Sequence, residues 1–227
     1  MNWERWARAA GIGFFVFTVA AFIVGGEPPK VSDSPQDVAA YFTDNRSQVL
    51  LSSFLFAVGL VLFLWFAGAV ANTLRERGEG RVAATALAAG TAWVVIQLVL
   101  TAITAALAHS IATDGDATGV RALFNLSWVL DMLGALPIGA TVLAVSVGLR
   151  RTQMIPQWLS WGGLAVAVLL ALRSTTWARD GFWSPTGEYL FILIPLALLW
   201  ILITSIVLVR NAPASTMEQS PTPAPTL

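Results

Sequence analysis

Six apolar stretches decide what this chain can fold into. They run over about residues 9–26, 47–74, 82–109, 120–149, 157–177 and 188–209. Apolar runs of about 18 residues or more read as helices that cross a bilayer. In hydrocarbon the backbone must satisfy its own hydrogen bonds, which leaves helices or a closed barrel, and the in–out alternation of a barrel strand is missing from all of these stretches. Only 11% of the residues are charged and 56% are hydrophobic, whereas soluble domains carry about 25% charged residues. The expected fold is all-α: a polytopic bundle of six transmembrane helices with one short extracytoplasmic helix.

The same composition removes several kinds of chemistry. With no cysteine and a single histidine, His109, the chain has no means to build a thiolate or multi-histidine metal site, or to use a cysteine nucleophile. A formal net charge of zero gives no reason to expect nucleic acid. H-E-x-x-H and G-x-S-x-G motifs do not occur, and Ser160 in "WLSWGGLA" has glycines beside it but no base. An aspartic protease would need a second intramembrane acid. Neither a cofactor, a metal nor an enzymatic activity is expected.

Positive charges set the orientation. With the N-terminus inside, Arg5, Arg8, Arg75, Arg77, Arg81, Arg150, Arg151 and Arg210 face the cytoplasm, while Lys30, Arg46, Arg121, Arg173 and Arg179 lie outside. The tight turns "RERGEGR" and "RRTQMIP" carry the most weight, because short loops govern insertion. Both termini are therefore expected in the cytoplasm. The first span has the basic start and apolar core of a signal peptide, but no A-x-A site ends it, so an uncleaved anchor is expected.

Two segments do not span. In the outer loop, "SPQD" starts a helix over about residues 35–45: Ser34 caps it, Pro35 suits its first position, and Asp37 favours its positive end. Val38, Tyr41 and Phe42 form its contact face, with Gln36 and Asp44 turned to water. The last segment, residues 211–227, is rich in Pro, Ser and Thr and is expected to be a disordered cytoplasmic tail beyond a membrane domain over residues 1–210.

"SPQDVAAYFTDNRSQVL", followed by a span ending "FLWFAGAVANTLR", resembles a group of small actinobacterial membrane proteins with six spans and no assigned function. The resemblance covers about residues 5–210, with "AYFTDNR" its most recognisable part. It implies the six-span topology and a bacterial plasma membrane, and it implies no activity.

One residue breaks the apolar pattern at a cost. Asp131 lies in "NLSWVLDMLGALPIG", roughly 16 Å into the fourth span at the helical rise per residue. An aspartate there costs about 2.5–3.5 kcal/mol on insertion scales, so its side chain must face the bundle. Ser127, Gly134, Ala135 and Ile138 share that face. Gln97, Thr101 and Thr104 form a polar stripe on the third span, extended inward by Trp93 and Gly90, at a similar depth. Arg173, near the outer end of the fifth span, is a second partner. If its side chain reaches down, Asp131 keeps its charge; if it snorkels to the headgroups, a neutral acid donates to Gln97. The candidate intramembrane polar cluster is thus Asp131, Gln97, Thr101, Thr104, Ser127 and Arg173. An isolated acid of this kind either ties helices together or relays a proton or cation, and the tie is favoured because no second acid accompanies it.

The remaining signals are weaker. Pro137 and Pro195 free the carbonyls of Leu133 and Phe191 and should kink their spans. Asp114 and Asp116 in "TDGDATG" lack the further ligands of a calcium loop and read as a solvated turn. Trp177, Phe182 and Trp183 in "WARDGFWSP" read as an interfacial anchor. The halves of the chain show no convincing repeat. The leading functional expectation is a non-enzymatic accessory, sensory or scaffold subunit, working in the lipid bilayer through a membrane-protein partner or a second copy of itself. A small transporter or channel using Asp131 comes second, and a membrane enzyme last.

Overall fold

The computed structural model describes residues 3–211. The order of elements is α1 (Trp3–Gly25), α2 (Pro35–Asp44), α3 (Arg46–Glu76), α4 (Gly80–Ala106), a π turn (Leu107–Ile111), the short α5 (Ala112–Asp114), α6 (Ala117–Arg151), α7 (Gln157–Arg173) and α8 (Glu188–Arg210), with no strand among the described residues. Five stretches, Arg5–Gly25, Arg46–Glu76, Gly80–Asp114, Ala117–Arg151 and Glu188–Arg210, are long and apolar enough to cross a membrane. α7, with 17 residues, is a shorter apolar helix. Apart from Asn211, the expected tail lies outside the described residues.

The six apolar helices close a ring. α1 packs on α3, α3 on α4, α4 on α6, α6 on α7, α7 on α8, and α8 returns to α1. The outside of this ring is greasy: Val16, Phe54, Val95, Leu133, Leu143, Val168 and Phe191 are all exposed. In water such a surface would drive aggregation, whereas hydrocarbon requires it. Inside the ring, Phe14, Phe63 and Trp93 pack edge to face with centroids 4.8–6.1 Å apart. Small residues set the helix spacing where bulk would not fit. A Cβ on Gly163 of α7 would lie 2.0 Å from Ser146 Oγ of α6 and 2.5 Å from Trp200 Nε1 of α8.

Two helix ends depart from the apolar pattern. α7 stops at Arg173 rather than continuing to Trp177, because the next three hydroxyls turn back onto the helix. Ser174, Thr175 and Thr176 donate to the carbonyls of Ala171, Leu172 and Arg173, each at 2.7 Å. Hydroxyl side chains compete with helix continuation in this way. α4, in contrast, runs past its expected end at His109 through the π turn to Asp114. The turn buries Leu107 and Ala108 in a small core with Val38, Phe42, Val49, Val120 and Phe124.

That core holds α2 across one end of the ring. Val38 and Phe42 are buried, Tyr41 is half-buried, and Gln36 and Asp44 are exposed. Tyr41 donates to Gly25 O at 3.1 Å, and burial raises its phenol above the usual value. Ser34 accepts from Asp37 N at 3.2 Å and donates to Asp37 Oδ2 at 2.6 Å. Replacing Ser34 with Ala should cost about 1 kcal/mol, seen as roughly five-fold faster amide exchange in α2. Unchanged exchange would mean that packing alone holds the helix. At the start of α6, Asp116 accepts from Thr118 N at 2.8 Å and Gly119 N at 3.3 Å, and these bonds hold its carboxyl below the usual value. The sign follows: this cap stabilises fully above the ordinary aspartate value and is lost as pH falls through the lowered one.

Candidate functional site

Asp131 and Gln97 meet because α4 and α6 approach closely at a glycine. A Cβ on Gly134 would lie 3.1 Å from Ile96 Cγ2 and 3.8 Å from Gln97 Nε2. Across that gap Gln97 Nε2 donates to Asp131 Oδ1 at 3.1 Å. The other oxygen faces α7. Arg173, only 4% exposed, donates to Asp131 Oδ2 from Nε at 3.2 Å and also from a terminal nitrogen, forming an ion pair. Its remaining terminal nitrogen lies 3.5 Å from Pro185 O in the loop before α8. One carboxylate thus ties three helices, and charge-assisted bonds of this type are the strong ones. Arg173 thus reaches down to Asp131 rather than snorkelling out. Its place in the last turn of α7 also suits the negative end of that helix.

The other residues singled out by sequence sit nearby with their hydroxyls bonded elsewhere than to Asp131. Thr101 donates to Gln97 O at 2.6 Å, Thr104 to Leu100 O at 3.0 Å and Ser127 to Phe124 O at 2.7 Å. Each hydroxyl is satisfied by its own helix. Thr101 still matters indirectly, because it bonds the backbone of the residue that carries the amide. The sequence reading missed the Pro185 carbonyl and Thr18. Thr18 is 3% exposed, and its Oγ1 has no hydrogen-bond partner. Its signal was legible in "FFVFTVAAF": Phe14, Thr18 and Phe22 fall four residues apart on one helical face.

The cluster borders two cavities. One, of about 120 Å³, lies within the ring and is lined by side chains of all six apolar helices, including Thr18, Gln97, Asp131 and Arg173. The second, of about 240 Å³, lies toward α2, between Tyr41, Ser52, Thr104, Trp128 and Asp131. Asp131 lines both, with its side chain 26% exposed. Away from α2 the inner cavity ends on apolar walls, Phe14, Trp93 and Ile201 among them. Beyond it three buried hydroxyls bond backbone, Thr141 donating to Pro137 O at 3.0 Å, Ser146 to Val142 O at 2.7 Å and Ser160 to Ser146 O at 3.0 Å, while the buried Thr204 Oγ1 has no hydrogen-bond partner. Among the described residues, no Asp or Glu is buried.

The weaker candidates take local roles. Ser160 serves helix packing, with no histidine or carboxylate among its hydrogen-bond partners. His109 offers its backbone oxygen to Arg46 Nε at 3.4 Å. Asp116 is the cap described above, and Asp114 is exposed. Trp177 and Phe182 are exposed, while Trp183 donates to Thr175 O at 2.9 Å and packs on Tyr189. Pro137 and Pro195 both lie inside helices.

Fold and site together define a class: an all-helical, membrane-like protein with a polar cluster of Asp131, Gln97 and Arg173 between three of its helices. The family described as Domain of unknown function (DUF4386) matches residues 9–211, and the chain belongs to that family. No curated protein and no solved structure matches the chain.

Proposed function

We propose that this chain is a six-span, non-enzymatic protein of the bacterial plasma membrane. In this reading it serves as an accessory, sensory or scaffold subunit and acts through a membrane-protein partner or a second copy of itself. The observation that carries the reading is the confinement of the half-buried Asp131 carboxylate, with Arg173 and Gln97, to one level. A conductor needs polar groups at successive depths. Here the inner cavity stops against Phe14 and Trp93, and beyond it the hydroxyls of Thr141, Ser146 and Ser160 bond backbone. α7 counts as the sixth span because it joins the far end of α6 to the near end of α8 and packs on both. The cytoplasmic side is assigned to the end away from α2, where Arg75, Arg77, Arg81, Arg150, Arg151 and Arg210 gather.

A second reading, a small transporter or channel using Asp131, draws on the fact that Asp131 lines both cavities. Flux separates the two. Proteoliposomes holding the full chain should pass protons and monovalent cations no faster than empty liposomes. Flux that vanishes in Asp131→Asn, with that variant still folded, would favour the second reading. Topology is checked separately: reporter fusions after Arg77 and Arg151 should read cytoplasmic and one after Asp116 external. If Arg77 and Asp116 report the same side, the span assignment fails.

A further inference from the structure

α1 and α8 do not stay together along their length. At the arginine-rich end they touch closely: Arg8 donates to Leu208 O at 3.3 Å, and a Cβ on Gly11 would lie 2.9 Å from Ser205 Cβ. At the α2 end they part, leaving a gap of about 450 Å³ between Phe22 and Pro28 on one side and Leu190 and Phe191 on the other. Phe22, Leu190 and Ile194 line this gap, the inner cavity and the cavity under α2 alike. The bundle therefore has a sideways opening toward the lipid, and the opening leads to the Asp131–Arg173 ion pair.

The chemistry at each end of this path differs. The gap walls are mostly apolar. The inner cavity adds Asp131, which has open acceptor capacity and 26% exposure, Arg173, and Thr18, whose buried hydroxyl is unpartnered. A buried hydroxyl left without a partner is costly, so a group that bonds it gains that cost back on binding. The ion pair is neutral as a unit. A second carboxylate would have to compete with Asp131 for Arg173, and an ammonium would face the Arg173 charge, each losing its hydration. A neutral hydroxyl can donate to Asp131 or Thr18 and accept from Thr18 or Arg173. An apolar cavity of about 150 Å³ holds one benzene. The 120 Å³ here therefore has room for a head of about five non-hydrogen atoms.

We propose that this cavity binds the neutral, polyhydroxyl head of a single-chain membrane amphipath, of the monoacylglycerol type. The head enters sideways between α1 and α8, its hydroxyls bond Asp131 and Thr18, and its chain lies along Phe22, Leu190 and Ile194 out into the bilayer. This inference goes beyond the partner reading above and stands without it, since a binding site needs no second protein.

The test uses the full chain in phosphatidylcholine nanodiscs with a photoactivatable monoacylglycerol carrying its diazirine on the acyl chain. Label should concentrate on the peptides holding Phe22 and Ile194. Unlabelled monoolein should compete at least about ten-fold better than oleate or oleylamine, the scale of one unsatisfied buried group. Thr18→Val removes the hydroxyl at constant size, and Ile194→Trp fills the gap. Both should cut labelling several-fold while thermal unfolding in detergent stays near that of the parent. The proposal is overturned if labelling is absent or spread evenly over lipid-facing peptides. It is equally overturned if oleate or oleylamine competes as well as monoolein, or if both folded variants label like the parent.

Discussion

Replacing Arg173 with Leu should be the most damaging single change in the bundle, lowering stability by about 3–5 kcal/mol. The cost comes from what stays behind. The Asp131 carboxyl would be left between helices with Gln97 as its one remaining side-chain partner, and Pro185 O would lose its donor. The loop before α8 and the end of α7 should loosen together. Arg173→Lys should cost less but should not be silent, since an ammonium lacks the fork that meets Asp131 through two nitrogens while also facing Pro185. The measurement is unfolding in mixed dodecylmaltoside–SDS micelles, with all variants at the same mole fraction of SDS. An Arg173→Leu protein as stable as the parent would mean that the pair does not hold the helices.

The second large effect is expected at Gly163, where α6, α7 and α8 converge. An alanine there brings a methyl group 2.0 Å from Ser146 Oγ and 2.5 Å from Trp200 Nε1. Neither neighbour is free to give way. Ser146 donates to Val142 O at 2.7 Å, and Trp200 donates to Leu159 O at 3.0 Å. Overpacking of this sort costs about 1–3 kcal/mol, and the pinned neighbours put Gly163→Ala at the upper end despite the gain in helix propensity. The adjacent residue is an internal control. A Cβ on Gly162 meets nothing within 4 Å, so Gly162→Ala should be neutral or slightly stabilising. Equal behaviour of the two alanines in the same unfolding assay would contradict the close packing of α7. Ser146→Ala, which removes the nearest oxygen, should restore part of the loss in Gly163→Ala.

Much of this organisation is written in local patterns. The long apolar runs carry the helices, since length and lipid compatibility are properties of each segment alone. The start of α2 was equally legible, because Ser34, Pro35 and Asp37 act on backbone groups within one turn. The partners of Asp131 could be narrowed to Gln97 and Arg173 by depth along helices of known rise. What depth does not give is rotation. Thr101 and Ser127 share the level of the cluster yet bond their own helices, and Thr18 escaped notice as one hydroxyl in a greasy run. The end of α7 was misplaced for a related reason. Ser174, Thr175 and Thr176 are tolerated in apolar helices, and only their bonds back to the preceding turn show that the helix stops. The closed ring, and the parting of α1 from α8, arise from contacts between the two ends of the chain and have no local signature.

The central claim is that one carboxylate–guanidinium pair fastens α6 to α7 inside the bundle, with Gln97 bringing in α4. A double-mutant cycle on Asp131→Leu and Arg173→Leu in the same micelle assay addresses it most directly. Each single change strands the partner's polar group between the helices, whereas the double change leaves two apolar side chains. The predicted result is strong coupling: the double variant is more stable than either single variant and recovers at least about 2 kcal/mol of their summed losses. If the two losses simply add, with no coupling beyond about 0.5 kcal/mol, the residues act independently and the account is contradicted.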